Sequence, residues 1–268
     1  MGTFPFVIMK IVSLILFLTG AVFADGFKVA SWNVNYNNQQ IRATLEMIME
    51  VDPDIILFQE STRQLEEGVK AHLPVVYRHT WFTEPGKHPA GGFGVVSKHP
   101  LIKRRFIDNT RGLFGTQFLT VQMDGAELQL VNVHLNPAPL PEEYSVPSAV
   151  HVMMMNNKVQ AAEIECVLEH VGNEQPAIIA GDFNSFSSMA ASKLLKRAGF
   201  VDAHLSLDDN ADAFFTWQSQ NRYPKLEGRL DFIFHSPELR AVHFEVEDNR
   251  LSDHALVHAV VELVGSRE

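Results

Sequence analysis

The chain has 268 residues, 22 Lys+Arg against 32 Asp+Glu for a formal net charge of −10, with 46% hydrophobic and 20% charged residues. This composition describes a globular chain long enough to bury a full core and excludes a disordered or fibrous one. The single cysteine excludes an intramolecular disulfide, a thiolate zinc cluster and an iron–sulfur centre, and the acidity argues against a broad basic face tracking nucleic-acid phosphates.

The N-terminal segment reads as a secretory signal. Lys10 precedes an apolar run over residues 11–23, and Val22-Phe23-Ala24 supplies a small-residue exit before Asp25-Gly26. The run is shorter than the ~20 residues needed to span a bilayer. The expectation is a signal over residues 1–24, starting at Met1 or Met9, and a secreted or periplasmic mature chain. A retained N-terminal membrane anchor is the alternative. Residues 25–268 read as one domain.

Short runs rich in β-branched and aromatic residues predict strands over 27–33, 54–60, 93–97, 117–123, 128–135, 177–182, 229–235, 241–246 and 255–264. Apolar periodicity predicts helices over 39–51, 62–72, 158–171 and 187–198. In the third, Val159, Ala162, Ile164, Val167, Leu168 and Val171 form an apolar stripe. Strands outnumber helices and several are adjacent in sequence, so largely antiparallel sheets covered by helices are expected. Residues 137–155, with clustered prolines and Met153-Met154-Met155, read as the one long irregular stretch. The methionines there suit either a buried helix start or a hydrophobic lip near a site.

Acidic, amide and histidine residues gather at the ends of these strands. Asn33 closes the first and Glu60 the second. Asn132 and His134 lie two apart and share a face. Asp182 and Asn184 follow an apolar strand in Gly181-Asp182-Phe183-Asn184, Asp231 opens Asp231-Phe232-Ile233, and Ser252-Asp253-His254 precedes the last strand. Carboxylates and amides without thiolates suit a hard cation: Mg²⁺, or alternatively Mn²⁺ or Ca²⁺.

The ordered set SWN, QE, NVHL, GDFN, RLDFIF and SDH resembles the endonuclease/exonuclease/phosphatase superfamily, over about residues 27–263. Its members include pancreatic-type deoxyribonucleases, abasic-site endonucleases, bacterial neutral sphingomyelinases and inositol polyphosphate 5-phosphatases. The resemblance implies an α/β fold: a four-layer αββα sandwich of two mixed, largely antiparallel sheets flanked by helices. It implies metal-assisted phosphoester hydrolysis. Glu60 then matches the principal metal-binding carboxylate, Asn33 its amide neighbour, and Asp253 a further metal or water ligand. Asp182 matches the residue that orients and deprotonates the attacking water, and Asn184 positions nucleophile and phosphoryl oxygens. His254 matches the histidine at the phosphate, Asp231 the carboxylate holding it, and His134 a histidine that some members use at the leaving group or phosphate.

Beyond those matches, Asn132 is expected to orient neighbours or contact phosphate, and Arg111 to reach a substrate phosphate. Asp202 reads as a structural cap. Lys98, Lys103, Arg104 and Arg105 form the only dense basic patch. The substrate expected is a phosphodiester, nucleic acid first and phospholipid second, handled by a monomer without a stable protein partner. A sandwich that binds but no longer catalyses is the alternative class, and the intact motif set argues against it.

Overall fold

A computed structural model of the chain describes residues 26–108, 111–123, 126–138, 146–172, 176–210, 214–219, 226–248 and 250–265. The expected signal over residues 1–24 lies outside the described residues. In chain order the strands and helices are β1 (Phe27–Asn33), α1 (Ile41–Val51), β2 (Ile55–Gln59), α2 (Arg63–His72), β3 (His79–Thr83), β4 (Phe93–Ser97), β5 (Leu101–Ile107), β6 (Thr116–Met123) and β7 (Ala126–His134). They continue with α3 (Val146–His170), β8 (Ala177–Asp182), α4 (Ala190–Arg197), β9 (Val201–Asp202), β10 (Trp217–Gln218), β11 (Glu227–Gly228), β12 (Asp231–His235), β13 (Leu239–Glu247) and β14 (Leu256–Leu263).

Two six-stranded sheets result, with strand orders β13-β14-β1-β2-β4-β3 and β5-β6-β7-β8-β12-β9. Each is mixed and largely antiparallel: β1–β2 is parallel in one and β7–β8 in the other. The period-2 alternation of β1 explains the layering. Phe27 and Val29 pack with Leu119, Leu130, Ile178 and Ile233 of the second sheet, forming the core between the sheets. Ala30 and Trp32 point outward, onto Leu45 and Ile48 of α1 and Leu65 and Val69 of α2. On the other flank, Ile164 and Val167 of α3 and Ala191 and Leu195 of α4 cover Val131, Ile179 and Phe234. The architecture is the expected four-layer αββα sandwich. Among the described residues no helix is long and apolar enough to cross a membrane.

Five strands escape the sequence pattern: β9, β10 and β11 are only two residues long, and the two longer ones, β3 and β5, are sheet edges. β3 is half-buried along its whole length, and β5 exposes Lys103, Arg104 and Arg105. Edge strands pack on one side only, so they lose the apolar signature and carry charges that discourage further pairing. A second departure concerns α3, which starts at Val146 rather than residue 158. Pro147 sits in its first turn, where the missing amide hydrogen has no helical partner to lose. The stretch 137–155 is therefore irregular only in part, and residues 139–145 of it lie outside the described residues. Met154 and Met155 are exposed on this helix.

At one end of the sandwich, apolar packing between the sheets gives way to amides. Gln59 Nε2 donates to Asn132 Oδ1 at 2.7 Å and to Ser31 Oγ at 3.2 Å, and Asn132 Nδ2 donates to Gln117 Oε1 at 2.9 Å. All four side chains are buried. Polar links of this kind hold the two sheets in one register where their strand ends meet.

Candidate active site

The strand ends above this amide layer carry the polar residues. Asn33 is the last residue of β1 and lies beside Gln59 in the parallel pair. Glu60 follows directly, at φ +56. This left-handed turn is uncommon outside glycine, and such strain collects at functional positions. It is pinned by Ser61, whose N–H donates to Gly92 O at 3.0 Å. At Gly92 any Cβ would fall 2.1 Å from Ser61 O, so the close approach requires glycine. Asn33 Nδ2 donates to Glu60 Oε1 at 3.0 Å, and Tyr36 N–H donates to Glu60 Oε2 at 3.1 Å.

From the second sheet, His134 ends β7 and Asp182 ends β8, directly opposite each other, while Asp231 opens β12 opposite Asp182. Gly181 adopts φ +149, and a Cβ there would lie 1.9 Å from Val133 O. Asp182 Oδ2 accepts from Asn33 Nδ2 at 3.0 Å, so one amide joins carboxylates of both sheets. Asn184, at φ +46, folds back on the same carboxylate: its N–H donates to Oδ1 at 2.8 Å and its Nδ2 to Oδ2 at 3.2 Å.

Two imidazoles flank Asp182. His254 Nε2 lies 3.6 Å from Asp182 Oδ2, and His254 Nδ1 lies 2.9 Å from Asp231 Oδ2. Its backbone is fixed by Trp32 Nε1, which donates to His254 O at 3.1 Å. His134 Nε2 lies 3.5 Å from Asp182 Oδ2 and 4.0 Å from Glu60 Oε1. Phe114 stacks on the His134 ring at 4.0 Å between centroids and 17° between planes. Asp253 stands at the rim, accepting from Asn35 Nδ2 at 2.8 Å and from Trp217 Nε1 at 3.3 Å.

Burial and charge set distinct protonation states for these groups. Burial pushes the Glu60 and Asp182 carboxyls above their ordinary values, with Asn33 and His254 respectively opposing the rise. Burial also works against charge on His254, but Asp231 and then Asp182 outweigh it and hold the ring up to about 10. His134 has no such partner at hydrogen-bonding distance, and burial pushes it down to about 4. Near neutral pH the site therefore holds one cationic and one neutral imidazole, on either side of a carboxylate with raised proton affinity.

The residue types fit a divalent cation. Glu60 and Asp253 both line a cleft of about 420 Å³, whose other polar walls include Asp182, Asn184, His134, His254, His88 and Glu227. A buried carboxylate whose charge burial disfavours gains most from a cation beside it. Ligating atoms of Asp182, Asp231 and His254 also lie within 4.8 Å of one another. Asp231 is already spent on His254 Nδ1 at 2.9 Å, and Asp182 on the amides of Asn33 and Asn184, which leaves Glu60, with Asn33 and Asp253, as the open oxygen-donor side.

Eight predicted site residues therefore meet: Asn33, Glu60, His134, Asp182, Asn184, Asp231, Asp253 and His254. Two do not. Asn132 is fully buried, and its amide is spent on Gln59, Gln117 and Phe58 O, so it orients neighbours and does not touch substrate. Arg111 is not among the residues lining the cleft and lies 3.9 Å from Glu165 of α3. The basic patch is misplaced too. Lys98 pairs with Asp52 at 2.8 Å, at the end of β2 opposite Glu60, and Arg105 lies over Phe118. Asp202 is structural, pairing with buried Arg229 at 2.6 Å. Phe114, Trp217 and Asn35 belong to the site but carry no motif. Only Asn35, two residues beyond Asn33, offered a signal.

Comparison with known proteins agrees with this geometry. The model of the endonuclease/exonuclease/phosphatase family matches residues 30–254. Similar solved structures include TDP2 from C. elegans (TM-score 0.69, 16% identity, 89% of this chain and 76% of that one). D. rerio TDP2 complexed with a single-strand DNA product (0.68, 17%, 88% and 98%) and an AP endonuclease from Archaeoglobus fulgidus (0.66, 18%, 88% and 100%) are also similar. At these identities the likeness concerns the fold. No curated protein sequence matches the chain significantly.

Proposed function

This chain belongs to the endonuclease/exonuclease/phosphatase family and is a metal-dependent hydrolase of phosphoester bonds; from that premise we propose that it is an exported, Mg²⁺-dependent phosphodiesterase acting on nucleic acid. The observation that carries the reading is the Asp182 carboxylate, set 3.5 and 3.6 Å from two imidazoles of opposite protonation state and tied by Asn33 to Glu60.

The cation, held by Glu60 with Asn33 and Asp253 beside it, would neutralise phosphoryl charge and stabilise the transition state. Asp182 accepts the proton of the attacking water, since burial raises its proton affinity and Asn184 fixes its orientation. His254, kept cationic by Asp231, donates to a phosphoryl oxygen. Each such donor contributes about 3–4 kcal/mol. His134 stays neutral and stands at the leaving-group side, its ring plane set by Phe114.

The walls bear on the substrate. Tyr36, Phe114, Phe186 and Trp217 line the cleft, and aromatic faces accept nucleobases by stacking, worth about 1–3 kcal/mol per base. The D. rerio TDP2 structure with a DNA product supports that choice by fold likeness. A phospholipid substrate is the second reading, favoured by exposed Leu113, Met154 and Met155, of which Leu113 lines the cleft. Export rests on the apolar run over residues 11–23. The test is a Mg²⁺-supplemented panel of single-stranded DNA, plasmid DNA, RNA, sphingomyelin and inositol phosphates. Cleavage of nucleic acid is the expected result; cleavage of sphingomyelin alone overturns it.

A further inference from the structure

Away from the cleft, β13 and β14 carry a second group of ligating side chains. A bulge at Ala241/His243 shifts the alternation of β13. Phe244 and Val246 consequently join the core between the sheets. His243, Glu245 and Glu247 share the opposite face. Glu245 pairs directly with His258 of β14. His258 Nε2 lies 3.7 Å from Glu245 Oε2 and 3.6 Å from Glu247 Oε1, and His243 Nε2 lies 3.1 Å from Glu245 Oε2. One ligand atom from each of Glu245, Glu247 and His258 falls within 4.8 Å of the others.

The second observation is His258 itself. It is only 4% exposed, and its Nδ1 has no hydrogen-bond partner. Its Nε2 points at two carboxylates from distances too long for hydrogen bonds. A buried imidazole whose Nε2 faces two carboxylates without bonding either leaves the space between them for a cation.

We propose that His258, Glu245 and Glu247, with His243 at the rim, form a second divalent-cation site suited to Zn²⁺. Bonds of about 2.0–2.2 Å in tetrahedral array separate ligand atoms by roughly 3.3–3.6 Å, close to the spacing found here. Imidazole mixed with carboxylate favours zinc over magnesium. Burial, then Lys28, works against a positive charge on the His258 ring. Lys28 is the opposing charge, with its Nζ turned to Val51 O at 2.8 Å, while Glu50 of α1 adds a carboxylate near Glu247. A bound ion would staple the edge strand β13 to β14 across the bulge.

The probe is Zn²⁺ alone, titrated against a chromophoric chelator with the purified chain, the variants His258→Gln and Glu245→Gln, and Glu60→Gln. The expected result is one Zn²⁺ retained by Glu60→Gln but weakened by more than about 100-fold in His258→Gln and Glu245→Gln. Mg²⁺-supported hydrolysis should be unchanged in those two variants, and Co²⁺ substitution should give a visible band that they lose. If His258→Gln does not fold, the half-exposed Glu245 and Glu247, each changed to Gln, carry the same readout. Equal zinc stoichiometry and affinity in the wild type, Glu245→Gln and Glu247→Gln overturns the proposal, as does a zinc site lost only with Glu60→Gln.

Discussion

Replacing Asp231 with Asn removes one charge from a buried pair and changes almost nothing in shape. Asp231 and His254 are both buried, 2.9 Å apart. Burial disfavours the imidazolium, yet Asp231 and Asp182 together hold it up to about 10. A carboxylate this close moves a histidine by about 1–3 units, or roughly 1.5–4 kcal/mol. The sign follows from linkage. In the wild type the pair stabilises the fold fully below the ordinary histidine value of 6.5, and the contribution is lost as pH rises through about 10. In Asp231→Asn the ring releases its proton about one to three units earlier. A cationic donor at the transition state is worth about 10²–10³ in kcat. The variant should therefore lie closest to wild type near about pH 6 and fall behind by up to that factor near about pH 9. Hydrolysis of bis-p-nitrophenyl phosphate across that range gives the ratio, and NMR titration of His254 in metal-free protein gives the proton. A constant ratio at every pH, with His254 titrating identically in both proteins, refutes the pairing.

Three further outcomes are expected. Arg229→Met should destabilise the chain by about 3–5 kcal/mol in urea, because it leaves Asp202 as an uncompensated buried charge; adding Asp202→Asn should recover part of that, and a loss below about 1 kcal/mol would contradict the pair's role. Gly181→Ala should cost more than about 3 kcal/mol, since the added carbon meets Val133 O at 1.9 Å, and an unchanged Tm would contradict that contact. Phe114→Leu keeps apolar bulk but loses the stack on His134, so kcat should fall about 2- to 10-fold with little change in Tm, and an unchanged kcat would remove Phe114 from the site.

The central strands were legible because burial on both faces leaves a continuous apolar run, as in Ile55-Ile56-Leu57-Phe58 and Ala177-Ile178-Ile179-Ala180. The edges β3 and β5 were not, because β3 is half-buried along its whole length and a register shift with exposed charges interrupts β5, so neither alternates. The start of α3 was hidden behind Pro147 and three consecutive methionines, whose helical role depends on packing. In the site, the carboxylates and histidines stood out at strand ends, where a polar residue closing an apolar run has no reason in packing alone. Asn132 stood out for the same reason, yet its amide serves the link between sheets. Phe114 and Trp217 were invisible: an aromatic residue outside the strand and helix patterns looks the same whether it lines a cleft or a core. The bulge that turns Glu245 toward His258 is likewise a matter of register, which composition does not encode.

The measurement that bears most directly on the site is the Mg²⁺ dependence of phosphodiester hydrolysis and of Tm, followed side by side in the wild type and in Glu60→Gln. Burial raises the Glu60 carboxyl, so a cation beside it should both activate and stabilise the metal-free protein. The wild type should be inactive in EDTA and should gain activity and Tm with added Mg²⁺, whereas Glu60→Gln should stay folded and lose both responses. Full activity in EDTA, or a Glu60→Gln variant that responds to Mg²⁺ as the wild type does, would contradict a cation held by Glu60.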